Sequence, residues 1–306
     1  MFDEPTVFVL GAGAGEPYGF PTGTQLNDRI RDWLGHEQSI KQLQSVFPTQ
    51  EIANARDMAQ CLYDTQATVD QWLAQHQEYR TIGKYLVARC VVAAENPSLL
   101  PVNWYAHLWN KMVPEQWPAP VDVLLQNKVA FISFNYDRSL EQVLMMKARA
   151  MFKKATELEC ATVISQIQII HVHGQIGRLP WQDPTGYLTD LRVRPYTYEV
   201  NPEDLFHCSG VKIVEETTRE TSEFKHAQRF LLEAQRIHFL GFGYHDQNLW
   251  RLRCGVGGSE RIISGTHHGL SPKRKERLEK DGGEFGMPIT LRGMPPMVTE
   301  YVRDIV

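Results

Sequence analysis

The residues best placed to do chemistry in this sequence stand where short apolar, β-rich runs stop. Val129 to Phe134 is such a run; Asn135 and Asp137 follow at once, and Ser139-Leu140-Glu141 opens a helical pattern. A second run, ISQIQIIHVHG from Ile164, ends in His171, His173 and Gly174. An amide can orient a water or a hydroxyl, and an imidazole near neutral pH can take its proton. Each residue also has a plainer use. Asn135 and Asp137 would serve as caps of the following helix, and either histidine as a packed core side chain. Strand alternation puts His171 and His173 on one face, which is also a two-histidine metal arrangement, but no further ligand cluster accompanies it.

Glycines mark the other run ends. Thr6 to Leu10 leads straight into Gly11-Ala12-Gly13, then into a glycine- and proline-rich stretch through Pro21 and Gly23. A strand followed at once by glycines lets backbone approach a phosphate closely. The dinucleotide fingerprint has a third glycine where Glu16 stands, and Pro17, Gly19 and Pro21 are expected to forbid an immediate helix. The helix is therefore expected only from about Thr24, after a loop long enough to cover a ligand. Arg236 to Leu240 precedes Gly241 and Gly243, with a helix opening near Asp246 as its expected cap. Arg261 to Gly269 contains a further strand that ends around Gly265 and Thr266, and Pro288 to Arg292 is a candidate last strand.

These run ends need a scaffold. Strands alternating with helices imply right-handed crossovers and a parallel sheet. The expected fold is α/β: one domain over 1–306, a Rossmann-like parallel sheet flanked by helices, with a helical insertion subdomain at 24–126. That insertion is read from apolar spacing of three and four in QSIKQLQSVF, IANARDMAQCLYD, TVDQWLAQHQEYRTIGKYLVARCVVAAE and NWYAHLWNKMV. Its aromatic and leucine positions read as core. PEQWPAP is a connector back to the sheet. After Asn135 the helix is expected to run to about residue 157, and residues 175–226 read as loop, a short strand at Val211 to Val214 and a connecting helix. Five run ends, at Gly11, Asn135, His173, Gly241 and Gly265, would then share one edge of the sheet. Backbone N–H groups, an amide, a carboxylate and an imidazole together suit a pyrophosphate joined to a sugar. The sequence has no G-x-S-x-G elbow, no P-loop lysine motif and no kinase set.

Composition narrows the class. A chain of 306 residues, 42% hydrophobic and 22% charged, can bury a full core and is not of disordered type. Its apolar runs are too short to span a bilayer, and MFDEPTVFVLGAG has no basic leader region, so a cytoplasmic protein is expected. The net charge of −4 gives no electrostatic reason for nucleic acid as a partner, and Lys273 to Arg277 reads as a solvated helix face. Five scattered cysteines, at 61, 90, 160, 208 and 254, form no CxxC pair; they read as buried, reduced thiols and not as zinc ligands or disulfides.

The ordered set Gly11-Ala12-Gly13 with its loop to Pro21, Asn135-Tyr136-Asp137, His173-Gly174, Gly241-Phe242-Gly243 and Ile262 to Thr266 resembles the sirtuin-like family, in particular its prokaryotic antiviral-defence NAD hydrolase branch. The resemblance covers residues 5–23 and 128–292 and leaves the helical block uncovered. It implies NAD as substrate, no metal, Gly11 and Gly13 near the diphosphate, Ala12 and Pro21 also among the cofactor-binding residues, and Asn135 at the nicotinamide ribose or a water beside it. It further implies Asp137 near the carboxamide, His173 as catalytic base, Gly241 and Gly243 beside the adenosine half, and Thr266 as a further cofactor-binding residue. The zinc ribbon of four cysteines found in the deacetylase branch is absent, which argues against acyl-lysine substrates. The Pro-Asp-Phe-Arg of that branch is here Pro21-Thr22-Gly23-Thr24, which removes an arginine. The implied activity is cleavage of NAD to nicotinamide and ADP-ribose by the toxic effector of an antiphage system. The alternatives are a silent NAD- or ADP-ribose-sensing module and a deacylase or ADP-ribosyl transferase. A homo-oligomer and a separately encoded activating partner, an ATPase or a nucleic-acid-guided protein, are implied by the family alone.

Overall fold

Five short segments form the sheet: β1 (Thr6–Leu10), β2 (Val129–Ser133), β3 (Gln168–His171), β4 (Arg236–Leu240) and β5 (Ile262–Gly265). In the computed structural model, which describes residues 1–65, 67–116, 118–183, 193–202, 205, 210–213, 216–254 and 261–306, all of them pair in parallel in the order β3-β2-β1-β4-β5. Every residue of β1 and β2 is buried, as expected of central strands covered on both faces. The fold is Rossmann-like α/β. From β1 the chain builds outward through β2 and β3, then returns to the other side of β1 with β4 and β5. The crevice at this reversal of direction, between the carboxyl ends of β1 and β4, is where open parallel sheets bind ligands.

Helices cover both faces. Between β1 and β2 lie α1 (Ala12–Gly15), α2 (Gly23–Leu34), α3 (Glu37–Gln44), α4 (Thr49–Asp64), α5 (Val69–Gln75), α6 (Arg80–Val92) and α7 (Asn103–Met112). Capping boxes start two of them, Thr22 with Gln25 at α2 and Thr68 with Gln71 at α5. Then come α8 (Ser139–Met151), α9 (Glu157–Ile164), α10 (Ser222–Glu233), α11 (Asp246–Leu252), α12 (Pro272–Asp281) and α13 (Val298–Ile305). Alternation along β1 sends Phe8 and Leu10 into one core with Ile30, Leu86, Trp104 and Leu144, and Val7 and Val9 into another with Phe224, Leu231, Leu249 and Leu278. The helical block and α8 thus lie over one face, and α10, α11 and α12 over the other. None of the described helices is long and apolar enough to cross a membrane.

Several local expectations change. A helical turn, α1, follows β1 immediately, and a 3-10 turn over Glu16–Tyr18 continues it. Pro17 sits in the first turn, where its missing N–H has no role, and Gly19 at φ 86 ends it; the longer helix waits until Gly23. The helix after Asn135 stops at Met151, and Thr156 and Glu159 cap a separate helix, α9. Val211 to Ile213 form no strand, and Val214 lies outside the described residues, as do Trp117, Pro184 and Cys208. Pro288 to Arg292 reduces to one bridge, Ser264 to Thr290. Asp246 is the first residue of α11, not its cap, and its carboxylate pairs with Arg274 at 2.7 Å. Of the other cysteines, Cys90, Cys160 and Cys254 are buried free thiols and Cys61 is partly exposed.

Candidate functional site at the sheet edge

At the crevice two glycine turns pack on each other. Gly11 N–H donates to Leu240 O and Gly13 N–H to Gly241 O, each at 3.0 Å. Gly241 has φ +56, and a Cβ there would lie 2.1 Å from Ala14 N. Only glycine serves at that position. Thr266 receives the Gly241 N–H at 2.8 Å on its hydroxyl, so the last strand holds the second turn while Trp104 Nε1–H holds the first through Ala14 O at 2.8 Å. Gly243 faces the His245 ring, Ala12 is exposed, Gly13 is half-buried, and Pro21 is buried just before the α2 cap.

The loop after β2 is fixed residue by residue. Asn135 is half-buried and its Nδ2 donates to Gly11 O at 3.0 Å, joining the ends of β2 and β1. Tyr136 OH donates to Asp70 Oδ1 at 2.7 Å. Asp137 Oδ1 accepts the Ser139 N–H at 3.0 Å and the Ser139 hydroxyl, and Tyr105 shares that hydroxyl at 2.5 Å. In this structure the Asp137 carboxylate therefore serves the start of α8; burial pushes its pKa up, against the hydrogen bonds from Ser139. Arg138 is fully buried and grips Glu95 with two N–H groups at 2.9 and 2.8 Å, and Arg194 reaches the same carboxylate at 2.7 Å. The side chains at 136 and 138 thus tie this loop to the helical block, and the one between them ties it to α8.

The two histidines part company. β3 ends at His171, the chain turns, and strand alternation no longer governs His173. The two imidazoles accordingly do not share a face, which removes the two-histidine metal arrangement. His171 lies on the α8 side, with Nδ1 2.9 Å from Asn135 O and Nε2 2.7 Å from Glu141 Oε1. Burial disfavours its charge, but the Glu141 carboxylate, the Asn135 carbonyl and Asp137 outweigh burial and raise its pKa. His173 lies on the α10 side, edge-on to Phe134 and Phe224, with Nδ1 2.8 Å from Thr217 Oγ1. Burial, then the nearby Arg251 guanidinium, push its pKa down to about 3. It is neutral at pH 7.

A small cavity of about 10 Å³ is lined by Asn135, Asp137, Glu141 and His171, with Ser133 and Tyr105. His173 is not among its walls: Asn135 meets His171 there, while its neighbour Phe134 packs against the His173 ring. Among the described residues no group of three or more His, Cys, Asp or Glu side chains is arranged to hold a metal ion.

Sequence reasoning missed Glu95, Arg194, Thr217, Asp70 and Tyr105. All five act across long separations, and no local spacing marks them. Glu141 was visible only as part of a helix opening. No protein-family model matches the chain, and no curated protein is significantly similar to it.

Proposed function

We propose that the chain is a sirtuin-like NAD glycohydrolase that cleaves NAD to nicotinamide and ADP-ribose. The observation that supports it best is the strand order β3-β2-β1-β4-β5, with glycine turns after β1 and β4, an amide after β2 and a neutral imidazole after β3, all at the carboxyl edge. A dinucleotide would lie across the β1 and β4 ends, its diphosphate beside Gly11 and Gly13 and its adenosine half beside Gly241 and Gly243, with Ala12, Pro21 and Thr266 also at the site. Asp137 would stand near the carboxamide.

Chemistry at the ribose asks little of an acid. The bond between C1′ and the nicotinamide nitrogen breaks with its electron pair going to the ring, which quenches the ring's positive charge. Water then bonds to C1′, and its proton leaves through a base. Asn135 would orient that water or the ribose hydroxyl, and neutral His173, whose Nδ1 is held by Thr217, would take the proton at Nε2. A base pushed down to about 3 is weak. A diphosphate close to Arg251 would offset one of the two causes of that depression and bring His173 nearer its working range.

Purified chain incubated with NAD, with products separated by chromatography, tests the reading: free ADP-ribose and nicotinamide in equal amounts support it. A modified acceptor would point to a transferase or deacylase. Binding without turnover would support a sensing module, which the packing of Gly13 against Gly241 and the engaged Asn135 amide also favour. Since free consumption of NAD would kill the host, the proposal includes an off state, a cytoplasmic antiphage role, and activation by self-association or by a separately encoded ATPase or nucleic-acid-guided partner. Turnover by dilute chain alone, undiminished on dilution, would remove that part.

A further inference from the structure

His171 and Glu141 lie outside the chemistry just described, yet they are built into its support. The Asn135 carbonyl can only accept, so His171 Nδ1 must carry a proton. Nε2 then faces Glu141 Oε1 at 2.7 Å, and that contact is attractive only with a second proton between them. The pair therefore carries two protons: one holds the Asn135 backbone, the other holds the imidazole to α8. Ser133 completes the brace, accepting the Asn135 N–H on Oγ at 3.1 Å. The second Glu141 oxygen is buried without a hydrogen-bond partner and belongs to a residue lining the small cavity beside Asn135.

We propose that His171, backed by Glu141, is a positioning residue: it fixes the backbone of Asn135 so that the Asn135 amide is aimed for the reaction. The inference rests on the proposed function for what Asn135 does, and on geometry alone for what holds it. Loss of the shared proton would set a lone pair of Nε2 against a carboxylate and release the loop. The groups bearing on that proton are Glu141 from α8 and Asp137 from the loop, with Tyr105 of α7 across the cavity and Tyr196 close to both carboxylates.

Two measurements test it, in wild type, His171→Ala and Glu141→Gln full-length chains. In the first, backbone hydrogen exchange over residues 133–139 is expected to speed up about tenfold or more in His171→Ala and to stay near wild type in Glu141→Gln, where a neutral imidazole can accept from the new amide. In the second, nicotinamide release is expected to lose about 100-fold in kcat with KM little changed in His171→Ala. Glu141→Gln should keep most of the wild-type kcat and flatten the alkaline limb of the pH profile. Unchanged exchange in a folded His171→Ala overturns the proposal, as does unchanged kcat beside a wild type that turns over. If wild type releases no nicotinamide, the assigned reaction fails and the exchange result alone decides whether His171 holds the loop. Should His171→Ala not fold, the same two readouts on Glu141→Gln and Glu141→Ala decide it: equal behaviour of these two variants overturns the proposal.

Discussion

Two imidazoles two residues apart in HVHG end up with opposite electrostatics. His171 is buried against a carboxylate and a carbonyl and binds its proton more tightly than a free imidazole; His173 is buried among phenylalanine edges with one hydroxyl and an approaching guanidinium and binds it less tightly. Burial is common to both, so burial does not decide charge. What decides is whether the pocket supplies an acceptor of the right sign. One turn of chain at the end of β3 sends the two rings to opposite faces of the sheet, and that turn makes the difference.

The contrast can be broken most sharply by activity. His173→Ala and Asn135→Ala should each lower nicotinamide release by about 10² to 10⁴-fold, the usual worth of a positioned base or its orienting partner; His171→Ala should fall at the low end of that range. If all three behaved alike with substrate saturating, the division of labour between the two rings would be wrong.

Stability against pH gives the next largest effect. Unfolded His173 takes a proton near 6.5, while folded His173 resists until about 3. Its contribution is therefore complete above 6.5 and is lost as pH falls toward 3, by on the order of 4–5 kcal/mol. His171 has the opposite sign: its contribution is present below 6.5 and lost as pH rises through its raised folded value. Denaturant midpoints from pH 4 to 9 should show an acid limb that His173→Phe flattens and an alkaline limb that Glu141→Gln flattens. Imidazole chemical shifts would assign the two titrations directly.

Removing one partner from each ring sharpens the comparison further. Glu141→Ala leaves a buried cation unpaired and should cost about 3–5 kcal/mol near pH 6. Thr217→Val leaves a neutral imidazole nitrogen without its partner and should cost about 1–3 kcal/mol. Both are read from equilibrium urea unfolding; equal costs would mean that His171 is not charged.

Much of the frame was legible because its signals are local. Each strand but β3 is buried along most of its length, and the run ends at Gly11, Asn135, Gly241 and Thr266 do converge on one edge. Where the sequence misled, a neighbour intervened. Prolines after Gly13 suggested no helix, yet Pro17 falls where a helical turn tolerates it. Alternation predicted His171 and His173 on one face, but the pleat ends at His171. The Glu95 grip on Arg138 and the Asp70 contact with Tyr136 join positions far apart in the chain, so no window of sequence contains both members.

The central strand also sets an order of events during synthesis. Of the five strands Thr6–Leu10 leaves the ribosome first, but its partners on either side are Val129–Ser133 and Arg236–Leu240. An apolar, edge-prone segment must wait while most of the polypeptide is still being made, and closing such long loops is slow. The intervening helices can assemble early on their own nearby contacts and offer that segment a surface to rest against. Nascent chains truncated before residue 236 should then be the aggregation-prone species, and chains that extend past Gly265 the first that can complete the sheet.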